Sequence, residues 1–146
     1  MIDYDFIRSL EYGPATGEHH PLIKSSFTRS IAETDPDPHA ARIYLHKIIH
    51  RVLVDPRTIS VVAWPRGYPD EHIGWAVAQD GALVFAYVKE HFRRCGLGTM
   101  LLAHVSESVG PIRVAYWTRA ASRMALGGYP IVHDACVQSE LARLAR

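Results

Sequence analysis

The chain has 146 residues, 48% of them hydrophobic and 21% charged, with a formal net charge of +1. That length suits one compact domain spanning 1–146 and is too short for two; the composition excludes a disordered chain. The near-neutral balance gives no overall pull toward nucleic acid or anionic lipid, so any anion site must be built locally.

Two cysteines, Cys95 and Cys136, form neither a C-x-x-C pair nor a disulfide framework. The opening MIDYDFIRSLEY has no apolar run and does not read as a signal peptide. No stretch approaches the roughly 20 apolar residues that cross a bilayer. A soluble, cytoplasmic protein with no membrane partner is the expectation.

Ile2 to Leu10 reads as a first strand, broken by Gly13-Pro14 and Gly17. From His20 to Glu33, Leu22, Ile23, Phe27 and Ile31 recur at helical spacing. Asp37 can cap a second helix with Pro38 at its first position, and Ile43, Leu45, Ile48, Ile49, Val52 and Leu53 mark its buried stripe before Asp55-Pro56. Thr58–Trp64 is β-branched and aromatic and predicts a strand. His72–Ala78 and Ala82–Val88 predict two more, joined by Asp80-Gly81, a tight-hairpin signal. Gly98–Val109 is helical until Gly110-Pro111, Ile112–Thr118 is a strand, and Arg119–Leu126 a short helix closed by Gly127-Gly128. Tyr129–Ala135 predicts a last strand and Val137–Arg146 a terminal helix. The order β-α-α-β-β-β-α-β-α-β-α describes a mixed α/β (α+β) domain, with an antiparallel meander followed by strand-helix-strand units.

The most informative passage is Ala82 to Val105, where an apolar strand runs into Arg93-Arg94-Cys95-Gly96-Leu97-Gly98 and then an amphipathic helix. The first N–H groups of a helix have no internal partner, and the helix dipole adds positive charge at that end. Gly96 and Gly98 let an anion approach the backbone, Arg93 and Arg94 add charge, and the Thr99 hydroxyl is a further donor. The string is not a P-loop, and two glycines without a downstream ribose-binding acid do not make a dinucleotide fingerprint.

This passage resembles motif A of the GNAT superfamily, the Gcn5-related N-acetyltransferases. That motif reads V-x-x-x-x-R/Q-x-x-G-x-G/A, and Val88, Arg93, Gly96 and Gly98 fall on it. The order of elements is similar to that family across nearly the whole chain. The resemblance implies a GNAT-like, largely antiparallel twisted sheet flanked by helices. It also implies acetyl-CoA as acyl donor, no metal, and transfer of acetyl to an amine by direct attack in a ternary complex. The Ala82–Val88 strand would splay from Ile112–Thr118 to admit the pantetheine arm. Backbone groups near Tyr87 and Val88 would pair with its amides, and the amides of Arg94, Cys95, Gly96, Leu97, Gly98 and Thr99 would hold the pyrophosphate beside Arg93.

The family's tyrosine acid lies in a pattern like N-x-x-A-x-x-L-Y-x-x-x-G-F/Y. Here Thr118 replaces the asparagine, Ala121 and Tyr129 fit with a gap of one residue, and Ala125 replaces the tyrosine. Ser122, Tyr116 and Tyr87 are the candidate substitutes. Glu71 and His72, which open the strand before the hairpin, and Glu33 and His46, on the acceptor-side helices, are the candidate bases, with a solvated strand end or helix face as the alternative account of each. His46 and His50, at i and i+4, lack the glutamate of H-E-x-x-H, and adjacent His19 and His20 cannot share a helix face.

Arg42, Lys47, Arg51, Arg57 and Arg66 make the acceptor half locally basic, which would suit an acidic or phosphate-bearing acceptor, nucleic acid included. The acceptor is otherwise a small molecule, a protein or a modified base. The chain ends soon after Tyr129, where many members of the GNAT superfamily continue through another strand, so the expectation is an acceptor site that is reduced in its C-terminal half or completed by a second subunit in a homodimer. Two other readings stand beside the enzyme: a CoA-binding module with little or no turnover, favoured by Ala125, and an interaction protein whose turn binds a generic phosphate.

Overall fold

A computed structural model describes residues 3–33, 35–106 and 111–146. The chain runs α1 (Tyr4–Arg8), β1 (Leu10–Gly13), α2 (His20–Ala32), α3 (Pro38–Val54), β2 (Thr58–Pro65), β3 (Gly74–Gln79) and β4 (Ala82–Val88). A 3-10 turn at Glu90–Phe92 then leads into α4 (Leu97–Val105), β5 (Ile112–Val114), α5 (Arg119–Leu126), β6 (Ile131–His133) and α6 (Ala135–Arg143). The strands form one sheet in the order β1-β2-β3-β4-β5-β6. The first four pair antiparallel, whereas β5 joins β4, and β6 joins β5, in parallel.

Alternation along the strands assigns the two faces of the sheet. Val62, Trp75, Val77 and Phe85 meet Ile23 and Phe27 of α2 and Ile48, Ile49 and Val52 of α3. Val61, Ala63, Ile73, Ala76 and Ala78 on the other face meet Leu97, Leu101 and Val105 of α4. The helix α3 starts as its sequence dictates: Asp37 accepts a hydrogen bond from the Ala40 amide at 3.2 Å, and Pro38 opens the first turn. Asp80 (φ 51°) and Gly81 (φ 77°) both take the left-handed backbone of a tight β3–β4 turn.

Between β3 and β4 the register slips, from Val77↔Phe85 to Ala78↔Leu83, leaving Val84 as an extra residue. Val84 and Phe85 consequently both face the α2–α3 core. A bulge bends its strand, and here it lies where β4 leaves β5. The two strands pair at Leu83↔Val114, and the Ala115 amide donates to the Leu83 carbonyl at 2.9 Å. Beyond that point they diverge.

The structure revises several expected boundaries. Tyr4–Arg8 is a helical turn, not part of a strand, because the Asp3 side chain caps it by accepting from the Phe6 amide at 3.0 Å. The first strand is Leu10–Gly13, so Gly13 lies inside it; a Cβ there would meet Trp64 Cη2 at 2.6 Å. The third strand starts at Gly74, after His72. The fifth ends at Val114, short of Thr118, since the bent β4 offers no partner beyond Leu83. The sixth is shortened to Ile131–His133, and Asp134 starts α6 by capping Cys136 and Val137. Ile2, where the first strand was expected to start, and Val109 and Gly110, where the helix from Gly98 was expected to end, lie outside the described residues. No helix among the described residues is long and apolar enough to cross a membrane.

Candidate acyl-donor and acceptor site

The turn between β4 and α4 is shaped by two left-handed residues, Arg94 (φ 66°) and Gly96 (φ 91°). For arginine this backbone costs about 1 kcal/mol or more and persists only where the surroundings enforce it. The enforcement is visible on both sides. The Arg93 Nε donates to the Val88 carbonyl at 2.7 Å, and its guanidinium lies 5.4 Å from the Tyr87 ring centroid. The Cys95 carbonyl accepts from the Asp3 amide at 2.9 Å, and its thiol donates to the Phe92 carbonyl at 2.9 Å. Cys95 is thus held structurally in the turn.

Gly96 is the N-cap of α4, and the first i→i−4 bond of the helix runs from Met100 to the Gly96 carbonyl. The amides of Leu97, Gly98 and Thr99 therefore have no partner within the helix. Leu97 is buried against β3, where its Cδ2 would lie 3.3 Å from a Cβ on Gly74, so its side chain anchors the helix while its amide stays at the turn. Gly98 is different. Its φ is not positive, and a Cβ built there would meet nothing within 4 Å. Neither backbone strain nor packing among the described residues demands a glycine, so the open side of this position is available to a ligand. The Thr99 hydroxyl lies 3.2 Å from the Tyr129 hydroxyl.

The diverging strands make a narrow cleft lined by Leu83, Val84, Phe85 and Ala86 on one side and by Val114, Tyr116, Ala121 and Met124 on the other. A wider cleft of about 620 Å³ adjoins it, between the α2–α3 connection and the segment after β5. Tyr116 and Thr118 line both. Thr118 also caps α5, accepting from the Ala121 amide at 3.2 Å, the role that an asparagine would have filled.

The three expected catalytic side chains have different surroundings. Tyr116 is at the junction of the two clefts, only 8% exposed, with its ring edge-on to Phe27 at 5.5 Å. Burial, with the nearby Tyr44 as a smaller contribution, pushes its hydroxyl well above the usual phenol range, and that hydroxyl has no hydrogen-bond partner among the described residues. Tyr87 stacks on Trp75 at 5.2 Å under Arg93. Ser122 is half-buried on α5 and, like Ala125, lines neither cleft.

Of the expected bases, exposed Glu33 pairs with Arg119 at 3.1 Å, while His46 and Glu71 are exposed. His72 meets a partner that the sequence did not reveal: its Nε2 lies 3.1 Å from Nε2 of His19, at the start of α2, with Glu18 Oε1 3.5 Å from His19 Nε2. Three such ligand atoms within 4.8 Å of one another have metal-site spacing. The Thr16 amide argues against that use, because it donates to His19 Nδ1 at 2.9 Å. A ligating imidazole donates from its second nitrogen, whereas this one accepts, which leaves the proton on Nε2. His19 Nε2–H therefore donates to His72 Nε2. Burial, reinforced by His72, lowers the pKa of His19.

No protein-family model matches the chain, and no curated protein sequence matches it either. Solved structures do. A possible acetyltransferase from Clostridium difficile 630 superposes with a TM-score of 0.55 at 17% identity, over 86% of this chain and 93% of that one. A GCN5-related N-acetyltransferase from Ralstonia eutropha JMP134 superposes with a TM-score of 0.51 at 15% identity, over 92% and 90%. With its bulged fourth strand, its divergence from the fifth and its glycine turn into α4, the chain has the fold of the Gcn5-related N-acetyltransferases.

Proposed function

We propose that the protein is an N-acyltransferase that takes acetyl from acetyl-CoA and transfers it to an amine. The observation that carries this reading is Gly98: a glycine with ordinary backbone and open space beside it, in the first turn of a helix whose leading amides are free. In this reading the amides of Arg94 to Thr99 bind the pyrophosphate, and the exposed Arg94 guanidinium adds charge. Arg93, tied to Val88 and Tyr87, keeps the turn in shape and offers its remaining N–H groups. The gap between β4 and β5 takes the pantetheine arm beside Tyr87 and Val88.

The donor supplies a thioester, whose thiolate is a better leaving group than an alkoxide. In this reading Tyr116, which lines both clefts, assists its departure. A free phenol titrates near 10 and a thiol near 8.5, and burial raises Tyr116 further, so full proton transfer to a thiolate is uphill. Its role is to donate a hydrogen bond that stabilises the developing negative charge on sulfur. Tyr87 and Ser122 remain secondary to it on their positions.

Replacing Gly98 with leucine tests the donor site without straining the fold. Leucine suits a helix better than glycine by about 0.8 kcal/mol, so the thermal midpoint should hold or rise. Acetyl-CoA affinity by calorimetry should fall at least about ten-fold, equivalent to ~1.4 kcal/mol. Unchanged affinity would remove the site assignment. A second reading, a CoA-binding module without turnover, is favoured by Ala125, which stands where a tyrosine is expected and lines neither cleft. Thiol release over an amine panel separates the two.

A further inference from the structure

We infer that the acceptor is a compound bearing a second cationic group besides the amine that reacts, carried on a flat apolar body. The inference rests on the acyltransferase reading and names the class of acceptor for it.

The wide cleft sets the terms. Its volume of about 620 Å³ suits a small molecule. Two carboxylates, Asp35 and Asp37, line it at the α2–α3 connection, and neither lysine nor arginine is among its lining residues. Each aspartate uses Oδ1 locally: Asp35 accepts from the Asp37 amide at 2.9 Å, and Asp37 from the Ala40 amide at 3.2 Å. Their Oδ2 atoms have no partner among the described residues. The α3 dipole offsets only part of this charge, about half an elementary charge against two. The walls are aromatic. Tyr44 and Trp117 are 43% and 46% exposed, so both rings are open to a ligand in the cleft. Exposed aromatic rings and carboxylates lining one cleft offer an ammonium both Coulomb and cation–π attraction.

A separate observation fixes which end reacts. Tyr116 is nine-tenths buried, its hydroxyl has no partner among the described residues, and it lines both clefts. An amine next to it would be at the mouth of the donor gap, with the acidic connection across the cleft for the second group. The five basic residues Arg42, Lys47, Arg51, Arg57 and Arg66 line no part of the cleft. Arg57 is tied to Asp55 and Asp80, and Arg66 to Glu11.

The transfer balances without any further reagent. The neutral amine nitrogen bonds to the acyl carbon, the carbon–sulfur bond breaks, and its electron pair leaves on sulfur. One amine proton is released and one proton is taken up by the thiolate, giving an amide and free CoA thiol. An alkylammonium titrates near 10, so the second group stays charged at neutral pH and is the part that Asp35 and Asp37 hold.

The probes are p-xylylenediamine and p-methylbenzylamine, which share a ring and differ in the second ammonium. Calorimetry on the protein alone, at low salt, should find the diamine bound at least about ten-fold tighter, ~1.4 kcal/mol. The double variant Asp35→Asn, Asp37→Asn keeps both Oδ1 acceptors and the α3 cap, and should bring the two amines to within two-fold. Thiol release from acetyl-CoA should follow the same ratio. Equal binding of the two amines by the native protein, or a diamine affinity unmoved in the double variant, overturns the inference. Should the diamine preference hold while acetyl-CoA neither binds nor turns over, the cleft assignment stands and the acyltransferase reading falls. The opposite result sinks the acceptor class alone.

Discussion

The hydroxyls of Thr99 and Tyr129 lie 3.2 Å apart, joining the first turn of α4 to the segment that follows α5. The strand β4 leads into the first of these helices and β5 into the second, so the bond spans the opening made by the diverging strands. Thr99 is also one of the donors expected to meet the pyrophosphate. Tyr129→Phe removes the bond without changing the ring. An exposed neutral hydrogen bond contributes about 1 kcal/mol or less, so urea unfolding should shift little. With the Thr99 hydroxyl released, acetyl-CoA affinity by calorimetry should hold or rise. A ten-fold fall would instead mean that the Tyr129 hydroxyl contacts the donor itself.

Gly74 couples the sheet to the phosphate turn. A Cβ at that position would meet Leu101 Cδ1 and the Tyr87 carbonyl oxygen at 3.1 Å and Leu97 Cδ2 at 3.3 Å. The carbonyl is backbone and cannot move cheaply, so relief must come from the two leucines of α4. Overpacking of this kind costs about 1–3 kcal/mol. Gly74→Ala should lower stability in urea by that amount and weaken acetyl-CoA binding together with it, because a shift of Leu97 carries its amide. Loss of stability with native affinity would show that the turn is not positioned by this contact.

Much of the fold around the proposed donor site was legible because its signals are local. Asp80-Gly81 fixes a hairpin, Asp37-Pro38 starts a helix, and the apolar strand Ala82–Val88 runs directly into the glycine turn. The wide cleft proposed for the acceptor was not legible, since Asp35, Tyr44 and Trp117 come from three separate segments with no shared periodicity. The basic residues of α3 and those flanking β2 read as favouring an acidic acceptor or as solvated surface charge; Arg42, Lys47 and Arg51 line no part of the cleft, while Ala41 and Tyr44 of the same helix do. The His19–His72 pair spans 53 residues and leaves no sequence trace. Ile112–Thr118 is β-branched and aromatic enough to read as one strand. Only the bulge at Val84, on a different strand, explains why it stops at Val114.

His19 gives the fold an acid-sensitive point. Its pKa is lowered by burial and then by His72, with Glu18 opposing and His20 adding slightly. A histidine with a lowered folded pKa favours the neutral form in the native state. Its contribution is therefore undisturbed above the unfolded value, near 6.5, and below that the unfolded chain binds the proton more readily. Stability should decline as pH falls from 7 toward 5. His19→Asn supplies an oxygen acceptor for the Thr16 amide but cannot titrate. The difference between the two proteins in urea midpoint should narrow, or reverse in favour of the variant, across that interval. A constant difference at every pH would mean that the pair does not contribute through protonation.

Tyr116 brings stability and chemistry into opposition. Its hydroxyl has no protein partner among the described residues and is not a sealed-off atom, since the residue lines both clefts, so removing it breaks no bond within the fold. Tyr116→Phe keeps the ring and its edge contact with Phe27. The thermal midpoint of the variant should therefore hold or rise. If the hydroxyl stabilises the departing thiolate, the interaction exists mainly in the transition state, so kcat should fall about ten- to a hundred-fold, ~1.4–2.8 kcal/mol, with little change in KM for acetyl-CoA. If the protein turns over, the native form should also show a flat rate between pH 7 and 9 from this group, because burial keeps the phenol protonated beyond that range. A variant that unfolds earlier and turns over normally would make Tyr116 a wall residue. The combination of higher stability and slower turnover is the one that only a catalytic hydroxyl produces.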